Sequence, residues 1–251
     1  MKHFFVFLFA FVTGTAVFAQ NKDTTVTQKP APATVVPSKK DWSKVDLSKR
    51  ANDHFMVQIG YDGWAGLPDT LSTVGISRSF NFYFMMDFPF KTDPRLSVGA
   101  GLGIGSNNMF FQNQPAPISV IPQSDASTAN HFKKYKLVTT YLEIPLELRY
   151  AVDPENTNKS WKFAVGTKVG VLLSAYAKGK DIANSSNSVS DGSIYKVSSK
   201  SDFNTIELAG TARISKGVFG IFGQFQFTSL IKSTVSTAVY PFQFGICFSG
   251  L

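Results

Sequence analysis

Cysteine is nearly missing from this chain. Cys247 is the only one among 251 residues, so no disulfide can staple the fold internally. Histidine is almost as scarce: His3 stands at the extreme N-terminus, and only His54 and His131 follow it. Two isolated histidines and one cysteine give no zinc-ligand spacing. They also leave a serine–histidine dyad without an acid partner, which removes the usual basis for hydrolytic chemistry. Acidic residues are outnumbered, 17 against 25 Lys and Arg, for a formal charge of +8. In a chain read as exported, this excess does not imply nucleic acid, and much of it falls between Lys22 and Arg50. A long apolar run is lacking too. Phe4–Val12 is the nearest approach, well short of the roughly 20 residues of a spanning helix.

What is present begins with that short run. Lys2 and His3 precede it and Val17-Phe18-Ala19 closes it, so residues 1–19 read as a secretory signal peptide. No cysteine follows the cleavage site to carry a lipid anchor. Residues 20–52, rich in Lys, Thr and Pro and without a period, read as a flexible periplasmic N-terminal extension. Past residue 52 every second residue turns apolar. From Ile76 to Phe88, Phe80, Phe82, Phe84, Met86 and Phe88 share one face, while Ser79, Asn81, Tyr83, Met85 and Asp87 share the other. The pattern predicts eight strands, at 53–64, 76–88, 95–111, 136–150, 161–178, 203–215, 218–231 and 238–251. Each is longer than the roughly 9–11 residues that cross a bilayer at a tilt.

Nearly every strand carries an apolar face, yet no helical pattern exists to cover those faces. A closed barrel with its apolar side against lipid resolves the conflict. The expected fold is therefore all-β: an eight-stranded antiparallel transmembrane β-barrel, an up-and-down meander over residues 53–251. Connections 89–94, 151–160 and 216–217 are short, whereas 112–135 and 179–202 are long and polar. Short turns face the periplasm in such barrels. Both termini are thus expected to be periplasmic and the long loops extracellular, in the outer membrane of a Gram-negative bacterium.

Parity assigns the two faces. Val138, Leu142, Ile144, Leu146 and Leu148 are expected outward on the fourth strand, and Arg78 is the only charge placed outward. Inward lie Asp62, Asp87, Glu143, Glu147 and Glu207, balanced by Arg149, Lys162, Lys168, Lys178 and Arg213. Of these, Glu143, Glu147, Arg149, Lys162, Lys168, Glu207 and Arg213 form the expected barrel-interior charge network. If Tyr150 lies beside Trp161, Glu143 faces Lys168 across the ladder and Glu147 is diagonal to Lys162. The spacing of Glu143 and Glu147, about 13 Å along one strand face, is too wide for joint acid–base catalysis, so ion pairing is the expected role. Gly99, Gly101, Gly103 and Gly105 point inward and leave room for bulky neighbours such as Tyr83, Met85, Tyr141 and Phe222, so the lumen is expected to be filled. Tyr150 and Trp161 form the expected periplasmic aromatic girdle.

The strand Tyr141-Leu142-Glu143-Ile144-Pro145-Leu146-Glu147-Leu148-Arg149-Tyr150 and the glycine-rich Gly99–Gly105 stretch carry a resemblance. Over residues 53–251 the chain resembles the small outer-membrane β-barrel proteins of Bacteroidetes, the PorT-like group. The resemblance implies a small envelope barrel, and the group's namesake belongs to a secretion and gliding apparatus. With no catalytic, cofactor or metal residues to assign, the leading expectation is a non-enzymatic scaffold or subunit of a cell-envelope complex. Its partners would be outer-membrane lipid, lipopolysaccharide and envelope proteins met through the 20–52 tail or the loops, with no nucleic acid among them. Lys133, Lys134, Lys180, Lys196 and Lys200 are the loop lysines that could meet lipopolysaccharide phosphates. The alternatives are transport of a small or apolar solute and, less favoured, lipid modification.

Overall fold

Alternation fixes which residues face out, and backbone pairing fixes the closure. In the computed structural model, residues 55–67, 75–111, 134–180, 194–235 and 237–250 are described, together with Asp41, Leu47, Arg50 and Thr73. The 1–19 leader, most of the 20–52 extension, His54, His131 and the central parts of both long loops lie outside the described residues. Among the described residues nine strands form in order: β1 Phe55–Ala65, β2 Arg78–Pro89, β3 Leu96–Phe111, β4 Lys134–Ala151, β5 Trp161–Lys180, β6 Ile194–Ser198, β7 Ile206–Lys216, β8 Phe219–Gln226 and β9 Tyr240–Ser249. Antiparallel neighbours run β4-β3-β2-β1-β9-β8-β7-β5, and the β4–β5 pairing joins the two ends. The result is a closed barrel of eight strands. Closure gives every strand of the ring a neighbour on both sides, as a hydrocarbon environment demands.

The ninth strand is a correction to the sequence reading. β6 falls within the stretch expected to be a polar loop and pairs only with the far end of β5, from Tyr176↔Ser198 to Lys180↔Ile194. It extends the wall at the long-loop end without entering the ring. Two predicted boundaries move further than the rest. β7 begins at Ile206 rather than residue 203, and β8 stops at Gln226 rather than 231. The residues released from both strands fold across the barrel mouth instead. Phe203 and Ile231 form a β-bridge, and the Asn204 side chain donates to the Ser229 carbonyl at 2.7 Å.

This fold-over builds the main apolar core. Phe203, Leu230, Ile231 and Val239 pack with Trp64, Met109, Phe111, Tyr135, Leu137, Tyr141 and Leu172. The Trp64–Phe111 and Phe111–Tyr135 ring centroids are both 5.2 Å apart. Phe227, the first residue released from β8, stays exposed, but Leu230 and Ile231 two turns of alternation later are 1% exposed. A strand that continued straight would have kept one of that pair on the outer wall.

The outer wall follows the period-two pattern. On β2, Phe80, Phe82, Phe84, Met86 and Phe88 are 42–52% exposed, whereas Ser79, Asn81, Tyr83 and Met85 between them are at most 2% exposed. The pattern breaks once. Thr140 pairs with Ser174 while Tyr141 pairs with Leu172, leaving Leu173 as a bulge on β5. Beyond the bulge the faces of β5 exchange. Lys178, expected inward, is exposed, and Ala175 and Ala177 are buried. Val138 keeps its outward parity but is buried.

The glycines of β3 have a steric cause. A Cβ at Gly99 would strike the Arg149 guanidinium, one at Gly101 Met85, one at Gly103 Tyr83, and one at Gly105 the Glu143 carboxylate. The bare stripe of β3 is what allows these four large side chains to lie across the lumen.

Candidate functional site

The densest polar chemistry lies inside the ring, where β2, β4, β5 and β7 turn charged side chains toward one another. At its centre is Lys168 of β5. Its Nζ lies 2.9 Å from Glu143 Oε2 and 3.2 Å from Glu207 Oε1, with all three side chains at most 2% exposed. The Tyr83 hydroxyl donates to the same Glu143 oxygen at 2.5 Å. Asp62 is fully buried on β1, and neither of its carboxylate oxygens has a hydrogen-bond partner among the described residues.

The register that brings these groups together differs from the predicted one. Tyr150 pairs with Phe163, not Trp161, so Glu143 stands opposite Gly170 and Lys168 opposite Pro145. The displacement is two residues, so both charges stay on the same face and Lys168 reaches Glu143 on the diagonal. The cause is the 152–160 turn: Val152 donates to the Trp161 carbonyl at 3.0 Å, which makes Ala151↔Lys162 the last pair of the ladder.

A second group continues toward the short-turn end. Glu147 Oε2 accepts from Arg149 Nε and Arg213 Nη2, each at 2.9 Å. Arg213 Nη1 also donates to Ser249 Oγ at 3.0 Å. Glu147 is thus clamped by two arginines, and Lys162, expected on its diagonal, stands opposite Ala151, four residues further along the ladder. Lys162 is half-buried in the same chamber wall. Arg149 Nη1 lies 3.5 Å from Asp87, whose other oxygen binds Arg50 at 2.6 Å. Arg50 also donates to the Pro94 carbonyl and to Ser97.

Arg50 is the residue sequence reasoning missed most clearly. It was assigned to a flexible extension, yet its buried side chain closes the charge network. Its only signal was Asp87, an inward acid near the rim with no assigned partner. A buried amide set was missed as well: Asn81 donates to Gln58 and Gln243, and Gln243 donates to Asn107. All four are polar residues at inward parity, which is the signal that could have found them.

Chemically, the charged groups of this interior bind mostly one another, Asp62 excepted. The chamber bounded by Arg50, Asp87, Arg149, Lys162, Arg213 and Ser215 leaves about 20 Å³ to the centre of a water-sized sphere, space for about one water. The apolar core blocks the other end. Among the described residues no cluster of His, Cys, Asp or Glu could hold a metal ion. Tyr150 and Trp161 lie at the short-turn end, 37% and 49% exposed. Arg95 stands 5.9 Å over the Tyr150 ring and Lys216 5.7 Å over the Trp161 ring.

No curated protein matches the chain. Among solved structures, Ail, the attachment invasion locus protein of Yersinia pestis, is similar at 12% identity, over 79% of this chain and 99% of its own. The TM-score is 0.34 for Ail in complex with the heparin analogue sucrose octasulfate and 0.30 for Ail in a second structure. A likeness so distant bears on neither ligand nor role. The family comparison is more direct, because residues 60–249 match the model of the outer membrane protein beta-barrel domain. The match runs from within β1 to the last residue of β9, and the chain belongs to that family of outer-membrane β-barrels.

Proposed function

We propose that this barrel is a non-enzymatic scaffold or subunit of a cell-envelope complex, working through its rims and its lipid face. The observation that carries the reading is the sealed lumen, with an apolar core at the long-loop end and ion pairs from Lys168 to Arg50 below it. An interior crossed by these ion pairs, with a chamber at the short-turn end that holds about one water, argues against solute passage and substrate access. What remains available is the outside. The short-turn end, where Gly250 donates to the Phe55 carbonyl, is assigned to the periplasm, with Tyr150 and Trp161 as its aromatic girdle. The long-loop end is assigned to the cell surface. The resemblance of the Tyr141–Tyr150 strand to the PorT-like group favours a machine of secretion or gliding, with the 20–52 tail as the periplasmic arm that meets it.

Crosslinking in intact cells followed by purification in mild detergent tests the proposal. A defined protein partner captured through the tail or the loops is the expected result. Recovery of the barrel always alone would count against it. Planar-bilayer recording should show no steady conductance, and regular single-channel steps would instead favour transport.

A further inference from the structure

Beyond the apolar band, the outer wall changes character in steps that the strand register makes visible. Ser106, Thr140 and Ser174 lie side by side on β3, β4 and β5, a row of hydroxyls at the edge of the apolar residues. Two residues further along come Asn108, Val138, Tyr176 and Ser198, with Arg78 beside Asn108. The next row is Phe110, Lys136, Lys178 and Lys196. Three lysines therefore stand directly opposite one another across two successive ladders. Lys178 is there because the Leu173 bulge turned it outward, and Lys196 because β6 added a strand.

Like charges directly opposite are unfavourable in a sheet, and nothing in this row relieves them. Among the described residues none of the three lysines makes an ion pair. Two of the three are nonetheless held in place. Lys136 Nζ donates to Asn108 Oδ1 at 3.2 Å, and Lys196 Nζ stands 4.5 Å over the Tyr176 ring. The row lies four residues past the hydroxyls, about 13 Å along a strand at roughly 3.3 Å per residue. At a tilt of about 35–45° this is on the order of 10 Å above the hydrocarbon edge. A phospholipid headgroup layer spans only about 5–8 Å. The row thus sits above phospholipid phosphates, at the level of a membrane glycolipid whose phosphates are carried on sugars.

We propose that Lys136, Lys178 and Lys196 form a binding site for the sugar-borne phosphates of lipopolysaccharide. The site rests on the assignment of the long-loop end to the cell surface, where this glycolipid resides. Each lysine near an anionic surface contributes about fivefold in affinity, so the three together supply on the order of 100-fold.

The test uses the full-length barrel in detergent and purified lipopolysaccharide, native or enzymatically dephosphorylated, with phosphatidylglycerol nanodiscs as the lipid control. The variant is K136Q/K178Q/K196Q, checked for folding by heat-modifiable gel migration. Single K178Q and K196Q changes serve if the triple variant does not fold, each expected to weaken binding about fivefold. Wild type should bind native lipopolysaccharide about 100-fold more tightly than the triple variant does. Dephosphorylated lipopolysaccharide and phosphatidylglycerol should bind wild type as weakly as native lipopolysaccharide binds the variant. Equal binding by wild type and variant, or no preference for the phosphorylated glycolipid, overturns the site while leaving the orientation intact. The orientation is read separately, with an impermeant maleimide on K200C in whole cells, where buried Cys247 stays unlabelled. Labelling that appears only after permeabilisation overturns the orientation and the proposal with it.

Discussion

Replacing Lys168 with methionine is expected to destabilise the barrel by about 3–5 kcal/mol, or to prevent refolding altogether. Lys168 is the cation shared by Glu143 and Glu207, and all three are sealed from water. Removing it leaves two buried carboxylates facing each other with only the Tyr83 hydroxyl as relief. The loss should be largely reversed in the triple variant K168M/E143Q/E207Q, because a buried ion cluster replaced as a whole by neutral groups is often tolerated. Urea titration in phospholipid vesicles, followed by heat-modifiable migration, measures both. A single variant as stable as wild type would mean that water reaches this cluster and that the lumen is open.

The second large effect lies on the opposite face. Ile144 is 58% exposed in the middle of the apolar stretch of β4, beside Val169. Ile144→Arg should cost about 2–4 kcal/mol in a bilayer, because a guanidinium at the midplane has no water to reach. Val152, just past the end of β4, is similarly exposed at 49%. Val152→Arg should cost about 0–1 kcal/mol, since near the interface the side chain can reach the headgroups. The difference between the two sites is the informative quantity. Equal costs would indicate that both residues face water or protein.

Much of this fold was legible because a barrel wall has one period and two solvents. Phe80 to Phe88 announce their face without tertiary information, and so does the Leu142–Leu148 series. The inward charges were legible for the same reason. What escaped was whatever breaks the period or comes from outside a strand. The Leu173 bulge has no signature in Val171-Leu172-Leu173-Ser174, all of which could continue a strand, yet it reverses Lys178. β6 hides because a strand of five residues within a polar stretch is too short for a period to show. Phe203, Leu230 and Ile231 have strand-like composition, but they fold over the mouth because that is the nearest place to bury them. Register was recovered only to within two residues, since turn length cannot be read from Asp153 to Ser160 alone. An error of two preserves the face, which is why the Glu143–Lys168 contact survives a wrong pairing. Arg50 escaped because its neighbours are those of a polar, aperiodic tail.

Spin-label accessibility along β2 tests the central claim most directly. Single cysteines placed in turn from Ser79 to Phe88 carry the label, in protein reconstituted into phospholipid vesicles with Cys247 replaced by alanine. Collisions with dissolved oxygen should alternate with a period of two, high at 80, 82, 84, 86 and 88. Labels at 79, 81, 83 and 85 should meet neither oxygen nor a water-soluble nickel chelate. Uniform access of the chelate to both series, or the absence of any alternation, would contradict a sealed barrel with its phenylalanines in lipid.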